Sequence, residues 1–148
     1  PHEVARAEDS SPDALLITNT AHVTYFSLEA YLYSTGGEAI GAVLRWTPQG
    51  YYAVRLYLNV ANNEPKAELL KITPTGGQVL AQTTTWLGFT TKRWMLVKFS
   101  AQGSNLTVDV DGQKILQGSD SSLSGGSIGL YSYADGTAYF DNIRASGN

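Results

Sequence analysis

Residues 104–143 read SNLTVDVDGQKILQGSDSSLSGGSIGLYSYADGTAYFDNI, and this stretch decides the fold class. Apolar residues alternate with polar ones through Leu106, Val108 and Val110, and the dipeptide Asp111-Gly112 follows. Alternation that ends on Asp-Gly is a strong hairpin signal, because these two residues accept the positive φ angles of a type I′ turn. The stretch therefore predicts antiparallel β-structure.

The same kind of pattern continues upstream. Short apolar or alternating runs are separated by turns rich in Gly, Pro and Asn, and no 11-residue window keeps the spacing of an amphipathic helix. The predicted strands are 14–18, 23–33, 39–46, 50–60, 66–72, 78–84, 92–101, 104–111, 113–117, 127–133 and 137–144. This many short strands at this spacing predict a sandwich of two antiparallel sheets.

The order of these segments resembles the concanavalin A-like (laminin-G-like) jelly-roll family. The segments that carry the resemblance are YFSLEAYLY, GAVLRW, GYYAVRLYL, RWMLVKFS, VDVDG, SIGLYSY and AYFDNI, between residues 23 and 145. The resemblance implies an all-β jelly-roll sandwich of the kind found in carbohydrate-binding modules and extracellular surface proteins. Within this frame, residues 1–13 are expected to be an N-terminal arm or edge strand, and residues 14–148 the sandwich domain.

Composition narrows the classes of function. The chain has 148 residues, which suits one domain with one core, and a net charge of −3 with Lys and Arg scattered singly. Without a basic stripe, nucleic-acid binding is not expected, and no apolar run is long enough to span a membrane. The sequence has no cysteine, which excludes disulfides and thiolate catalysis. Nine Tyr with few charges are typical of an extracellular or cell-surface β domain.

Strict alternation also predicts which side chains face the core. The predicted core consists of Phe26, Leu28, Leu44, Val54, Leu56, Val97, Phe99, Val108, Ile128, Leu130 and Phe140. A β-bulge would invert such an assignment from that point of the strand onward.

The residues that alternate with this core include a set with sugar-binding chemistry. Arg supplies a rigid fork of donors, Glu supplies acceptors, and aromatic rings stack on the C–H faces of sugars. The predicted glycan-binding residues are Glu29, Tyr31, Arg45, Arg55, Tyr57 and Trp94, which we expect on one outer sheet face. The alternative is a cross-strand salt bridge with aromatic neighbours that only stabilises the sheet.

A second set is acidic. The first and last strands of a sandwich commonly lie side by side, which would bring Glu8 and Asp9 near Asp141. Calcium takes oxygen ligands from carboxylates and carbonyls, and the resemblance implies a structural calcium ion at this junction, with Asp141 in the matching FDN motif. The alternative is that Asp141 caps a turn and the other two acids are solvated.

No residue is expected to be catalytic. Glycoside hydrolysis needs two carboxyl groups across the scissile bond, whereas Glu29 stands alone on its strand and Glu64 and Glu68 straddle a turn. The sequence thus predicts a non-catalytic glycan-binding module of a secreted or cell-surface protein, with a poly- or oligosaccharide as partner. The alternative is a structural extracellular protein, an adhesion domain or a fibre subunit, that self-assembles by strand addition through residues 1–13.

Overall fold

A computed structural model of the chain describes residues 5–8, 13–17, 25–36, 39–60, 64–83, 85–133 and 137–147. Its elements are β1 (Ala5–Glu8), β2 (Asp13–Ile17), β3 (Tyr25–Ser34), β4 (Ala39–Thr47), β5 (Gly50–Tyr57), β6 (Ala67–Thr73), β7 (Gly76–Thr83), β8 (Met95–Gln102), β9 (Asn105–Val110), β10 (Gln113–Ser119), β11 (Ser127–Tyr133) and β12 (Thr137–Gly147). In these ranges no helix is long and apolar enough to cross a bilayer.

The strands form two antiparallel sheets. Sheet I has the order β1-β12-β3-β8-β9-β10, and sheet II has the order β2-β11-β4-β5-β6-β7. Of the predicted N-terminal arm, Ala5–Glu8 form the edge strand of sheet I and pair with β12 of the same chain. Asp9, named in the predicted calcium site, lies outside the described residues.

The predicted Asp-Gly hairpin joins β9 to β10. Asp111 and Gly112 both have positive φ, 52° and 85°, as a type I′ turn requires. Asp111 also ties the turn to β8, because its N–H donates to the Leu96 carbonyl at 2.8 Å and its Oδ1 accepts the Leu96 N–H at 2.9 Å. The strongest signal in the sequence is therefore confirmed at the level of its backbone angles.

The core lies between the two sheets and is as predicted, with one exception. The confirmed core residues are Leu28, Leu44, Val54, Leu56, Val97, Phe99, Val108, Ile128, Leu130 and Phe140. The prediction for Phe26 is wrong, since its side chain is 40% exposed. Pairing of β3 with β8 begins only at Ser27, so Phe26 lies at the margin of sheet I, where alternation no longer implies cover.

Candidate functional site

The predicted glycan-binding residues do not share one face. Glu29 and Tyr31 on β3 and Trp94 next to β8 belong to sheet I, whereas Arg45 on β4 and Arg55 and Tyr57 on β5 belong to sheet II. The prediction of a single shared face is therefore wrong. Alternation tells which side of a strand faces solvent, but both outer faces of a sandwich give the same pattern, so the sheet itself cannot be read from it.

Glu29 lies in a row of alternating charge on the outer face of sheet I. It is opposite Arg144 on β12 and Lys98 on β8. Lys98 is in turn opposite Asp109 on β9, and Asp109 is opposite Lys114 on β10. Opposite charges that face each other across strands stabilise a sheet. This register favours the stabilising role for Glu29 that the sequence left as the alternative.

The aromatic residues of sheet I pack on one another. The Tyr33 ring centroid is 5.1 Å from that of Trp94 and 5.9 Å from that of Tyr139, with interplanar angles of 45° and 69°. These are the tilted and edge-to-face arrangements that aromatic pairs prefer. Tyr31 and Trp94 keep exposed fractions of 38% and 40%, but the tilted rings do not offer one flat surface.

Arg45 is removed from the outer face by a β-bulge. The β4–β5 register shifts between Leu44 and Thr47, and Arg45 has a φ of 57°. A bulge re-aims the side chains around it. The Arg45 side chain is 8% exposed, and its Nη1 donates to the Leu123 carbonyl at 3.0 Å. Arg45 therefore holds the loop between β10 and β11, and we do not retain it in the candidate site.

The outer face of sheet II differs from that of sheet I in its burial. Val43, Ala53 and Tyr131 alternate with core residues and point away from the opposing sheet, yet they are 0%, 2% and 1% exposed. Side chains on the outer face of an antiparallel sheet normally meet solvent. Here the chain itself covers them, so these three side chains do not form part of the accessible surface of this face.

Four residues form one row across this face. Tyr131 on β11 is opposite Gly41 on β4, Gly41 is opposite Arg55 on β5, and Arg55 is opposite Glu68 on β6. Because Gly41 has no side chain, the Arg55 guanidinium can extend across β4, and its Cζ lies 5.3 Å from the Tyr131 ring centroid. This distance is within the range of cation–π contacts.

Tyr57, two residues after Arg55 on β5, adds a fixed hydrogen-bond donor beside this row. Its hydroxyl donates to Glu68 Oε1 at 2.7 Å. Burial raises the pKa of Tyr57 to about 12, the hydrogen bond to Glu68 acts in the same direction, and the nearby Arg55 guanidinium opposes both. At neutral pH the phenol is therefore protonated and is a poor general base. We call Arg55, Tyr57, Glu68 and Tyr131 the sheet II cluster.

Sequence reasoning missed half of this cluster. From the sequence, Glu68 is named only as a carboxylate near a turn, and Tyr131 is included only within the SIGLYSY segment. The available signal was alternation in AELLKIT and SIGLYSY, where Leu69 and Leu130 are core residues. Alternation with a period of two places Glu68 and Tyr131 on an outer face when it is applied to these strands as well as to β3 and β5.

A separate polar cluster closes one edge of the core. The Tyr52 hydroxyl donates to Asp120 Oδ2 at 2.5 Å, and Lys71 Nζ lies 4.0 Å from Asp120 Oδ1. Ser122 donates to the same carboxylate through its hydroxyl at 2.6 Å. Burial raises the pKa of Tyr52, and the Asp120 carboxylate raises it further. These contacts fix the β10–β11 loop against the sandwich and give the cluster a structural role.

The structure also shows what the FDN motif forms. The β12–β3 register shifts after Asp141, Asn142 has a φ of 51°, and Asp141 Oδ1 accepts the Asn142 N–H at 2.8 Å. Glu8 is opposite Thr137, four residues from Asp141 along β12, a separation of roughly 13 Å. Among the described residues no group of three acidic or histidine side chains is placed to hold a metal. Calcium at Asp141 stays a prediction.

Comparison with known proteins gives structural relatives alone. No protein-family model matches the chain, and no curated protein matches it. The carbohydrate-binding module CBM66 of Bacillus subtilis superposes with a TM-score of 0.76 at 18% identity, over 95% of this chain and 90% of that one. A putative glycosyl hydrolase of Parabacteroides distasonis superposes with a TM-score of 0.70 at 18% identity, over 98% of this chain and 87% of that one. Galectin LEC-6 of Caenorhabditis elegans superposes with a TM-score of 0.64 at 13% identity, over 95% of both chains.

These similarities concern the fold. They extend over almost the whole chain, and together with the strand order they confirm the antiparallel jelly-roll sandwich of concanavalin A-like type that the sequence predicted. At these identities a shared site does not follow from a shared fold, because one fold hosts many functions.

Proposed function

We propose that this chain is a non-catalytic glycan-binding module of a secreted or cell-surface protein, and that it binds a poly- or oligosaccharide on the outer face of sheet II. The observation that carries the proposal is the row in which Arg55 lies over Tyr131 and opposite Glu68. The secreted or cell-surface context is supported only by the composition, which is rich in Tyr and poor in charged residues.

The sheet II cluster has the chemistry that sugars require. A sugar presents hydroxyl groups that both donate and accept hydrogen bonds. Arg55 contributes a planar guanidinium, and Glu68 contributes a carboxylate that already accepts from Tyr57. Because these groups are held by one another before a ligand arrives, binding costs little side-chain entropy.

The structural relatives support this choice without deciding it. One of them is described as a carbohydrate-binding module and another as a galectin. The relative described as a putative glycosyl hydrolase raises the question of catalysis. Hydrolysis requires two carboxyl groups, and among the side chains described on the outer face of sheet II, Glu68 is the one carboxylate. Binding without turnover is therefore the function that we propose.

Self-assembly through the N-terminal arm is not part of the proposal. Residues 5–8 already pair with β12 of their own chain. Strand addition to a neighbouring copy would have to replace that pairing, and no observation favours the replacement.

A glycan array tests the proposal with a matched pair of variants. Glu68→Gln changes the sheet II cluster, and Glu29→Gln makes the same chemical change in the charged row of sheet I. We expect the intact chain to bind a defined class of glycan, Arg55→Ala and Glu68→Gln to lose it, and Glu29→Gln to keep it. An array without hits would overturn the proposal, and so would hits that survive Arg55→Ala but vanish with Glu29→Gln.

A further inference from the structure

We infer that the glycan site extends along β5 to a second saccharide subsite beside Trp46, Tyr51 and Ile72, so that the ligand is a chain of sugars rather than one terminal unit. The inference rests on the proposed function, because it uses the same face of sheet II. It adds the size of the ligand and the direction in which it lies.

The two subsites are aligned on a single strand. Tyr51 and Arg55 are four residues apart on β5 and lie on the same side of it, since Tyr52, Val54 and Leu56 are core residues. At the rise of a β-strand this separation is roughly 13 Å. One sugar ring does not span that distance, whereas a short oligosaccharide does.

The residues between the two subsites are small or aliphatic. Ala53 lies midway between Tyr51 and Arg55, with Val43 opposite it on β4 and Leu70 opposite it on β6. All three are buried, and none exceeds an exposed fraction of 7%. None of the three carries a charged or aromatic side chain, so the polar and aromatic groups of this stretch of β5 are Tyr51 and Arg55 at its two ends.

A groove receives the far end of such a ligand. It measures about 210 Å³, many times the roughly 10–15 Å³ that suffices to hold one water molecule. Its lining includes Trp46, Tyr51, Ile72 and Pro74, with Thr47 and Thr73 beside them. The Thr73 hydroxyl donates to the Gly76 carbonyl at 3.2 Å and lies 3.1 Å from the Thr75 hydroxyl, from which it then accepts. One lone pair of the Thr73 oxygen remains for a ligand hydroxyl. Rings and hydroxyl oxygens together suit an amphipathic sugar better than a purely apolar ligand.

The β4 bulge is what brings Trp46 to this groove. Regular alternation after Leu44 would place Trp46 on the core side, but the register shift between Leu44 and Thr47 turns it toward Tyr51. The bulged backbone lies close to Gly126, the residue before β11, where an added Cβ would be 2.2 Å from the Trp46 carbonyl oxygen. Arg45 and Gly126 thus support the position of Trp46, which gives the bulge a consequence for binding.

Calorimetric titration with oligosaccharides of graded length tests the inference. The probes are gluco-, xylo-, galacto- and fructo-oligosaccharides, each from monosaccharide to hexasaccharide, added to the full chain. In the series that binds, we expect the dissociation constant to fall as units are added and then to level off. Tyr51→Ala should weaken the longest members about tenfold and leave the shortest binding member unchanged. Tyr51→Phe, which keeps the ring, should retain most of the affinity.

Two further variants separate this inference from the proposed function. Arg55→Ala should lose affinity at every length, and Tyr31→Ala, on sheet I, should match the intact chain. Affinity that does not depend on length, or a Tyr51→Ala variant that binds long members normally, would overturn the second subsite while the Arg55→Ala result still upholds the site. Absence of binding in every series would overturn both. Thermal melts of each variant establish that it is folded.

Discussion

The guanidinium of Arg55 lies over the ring of Tyr131, although the strands that carry them are not neighbours. β4 runs between β5 and β11, and its residue in this row is Gly41. The contact therefore spans a strand that contributes no side chain. A glycine at this point is what allows a basic group and an aromatic ring to be held together on the outer face of sheet II.

Gly41→Ala should destabilise the protein more than the same change at a glycine with open space around it. A Cβ on Gly41 would lie 1.8 Å from the Val54 carbonyl oxygen, so the backbone of β4 or β5 must shift. Strain of this kind costs about 1–3 kcal/mol. The matched control is Gly77→Ala, where a Cβ would meet nothing within 4 Å. Urea unfolding measures both, and equal midpoints for the two variants would refute the close approach of β4 and β5 at this row.

The raised pKa of Tyr57 predicts a loss of stability in alkali. Its value in the folded chain is about 12, against 10.0 for the unperturbed group. The folded state therefore holds the proton more tightly, and the contribution to stability is complete below pH 10.0 and is lost as the pH rises through about 12. Tyr57→Phe should reduce this loss in denaturation curves recorded across that range. An alkaline loss as large as that of the intact chain would show that Tyr57 is not the group responsible.

The lowered pKa of Asp120 predicts a loss of stability in acid. Burial by itself raises the pKa of Asp120, but hydrogen bonds from Ser122 and Tyr52 and the charge of Lys71 lower it to below 3.8. Its contribution to stability is therefore present above pH 3.8 and is lost as the pH falls through the lower folded value. Asp120→Asn should cost about 1–2 kcal/mol at neutral pH and make the protein less sensitive to acid.

The control for Asp120 is Asp109→Asn in the charged row of sheet I. Exposed cross-strand pairs are worth at most about 1 kcal/mol, so this change should cost less than Asp120→Asn. A larger cost for Asp109→Asn would mean that the charged row, rather than the Tyr52–Asp120 contact, holds the sandwich together.

Calcium at Asp141 is a prediction from the sequence that thermal melts can check. A bound ion raises the unfolding midpoint by mass action, so the midpoint should be higher with calcium than with EDTA, and Asp141→Asn should abolish the difference. Equal midpoints in the two buffers would leave Asp141 as the residue that forms the β12 bulge with Asn142.

Sequence reasoning located the strands and most of the core, because alternation and turn residues are local signals. It also placed Arg55 and Tyr57 on an outer face. It could not assign Glu29 and Arg55 to different sheets, because the residues of one strand do not indicate which distant strand pairs with it. Arg45 failed for a different reason. One bulge with a positive φ inverts the pattern, and Arg45 is not a residue type that signals such a backbone.

The most direct test of the account is a map of backbone amide chemical shifts during titration with the best-binding oligosaccharide from the array. A saccharide bound on sheet II should cause its largest changes on β4, β5, β6 and β11, around Gly41, Arg55 and Glu68, and these changes should disappear in Arg55→Ala. Changes concentrated on β3 and β8 around Tyr31 and Trp94 would contradict it, because they would place the site on sheet I.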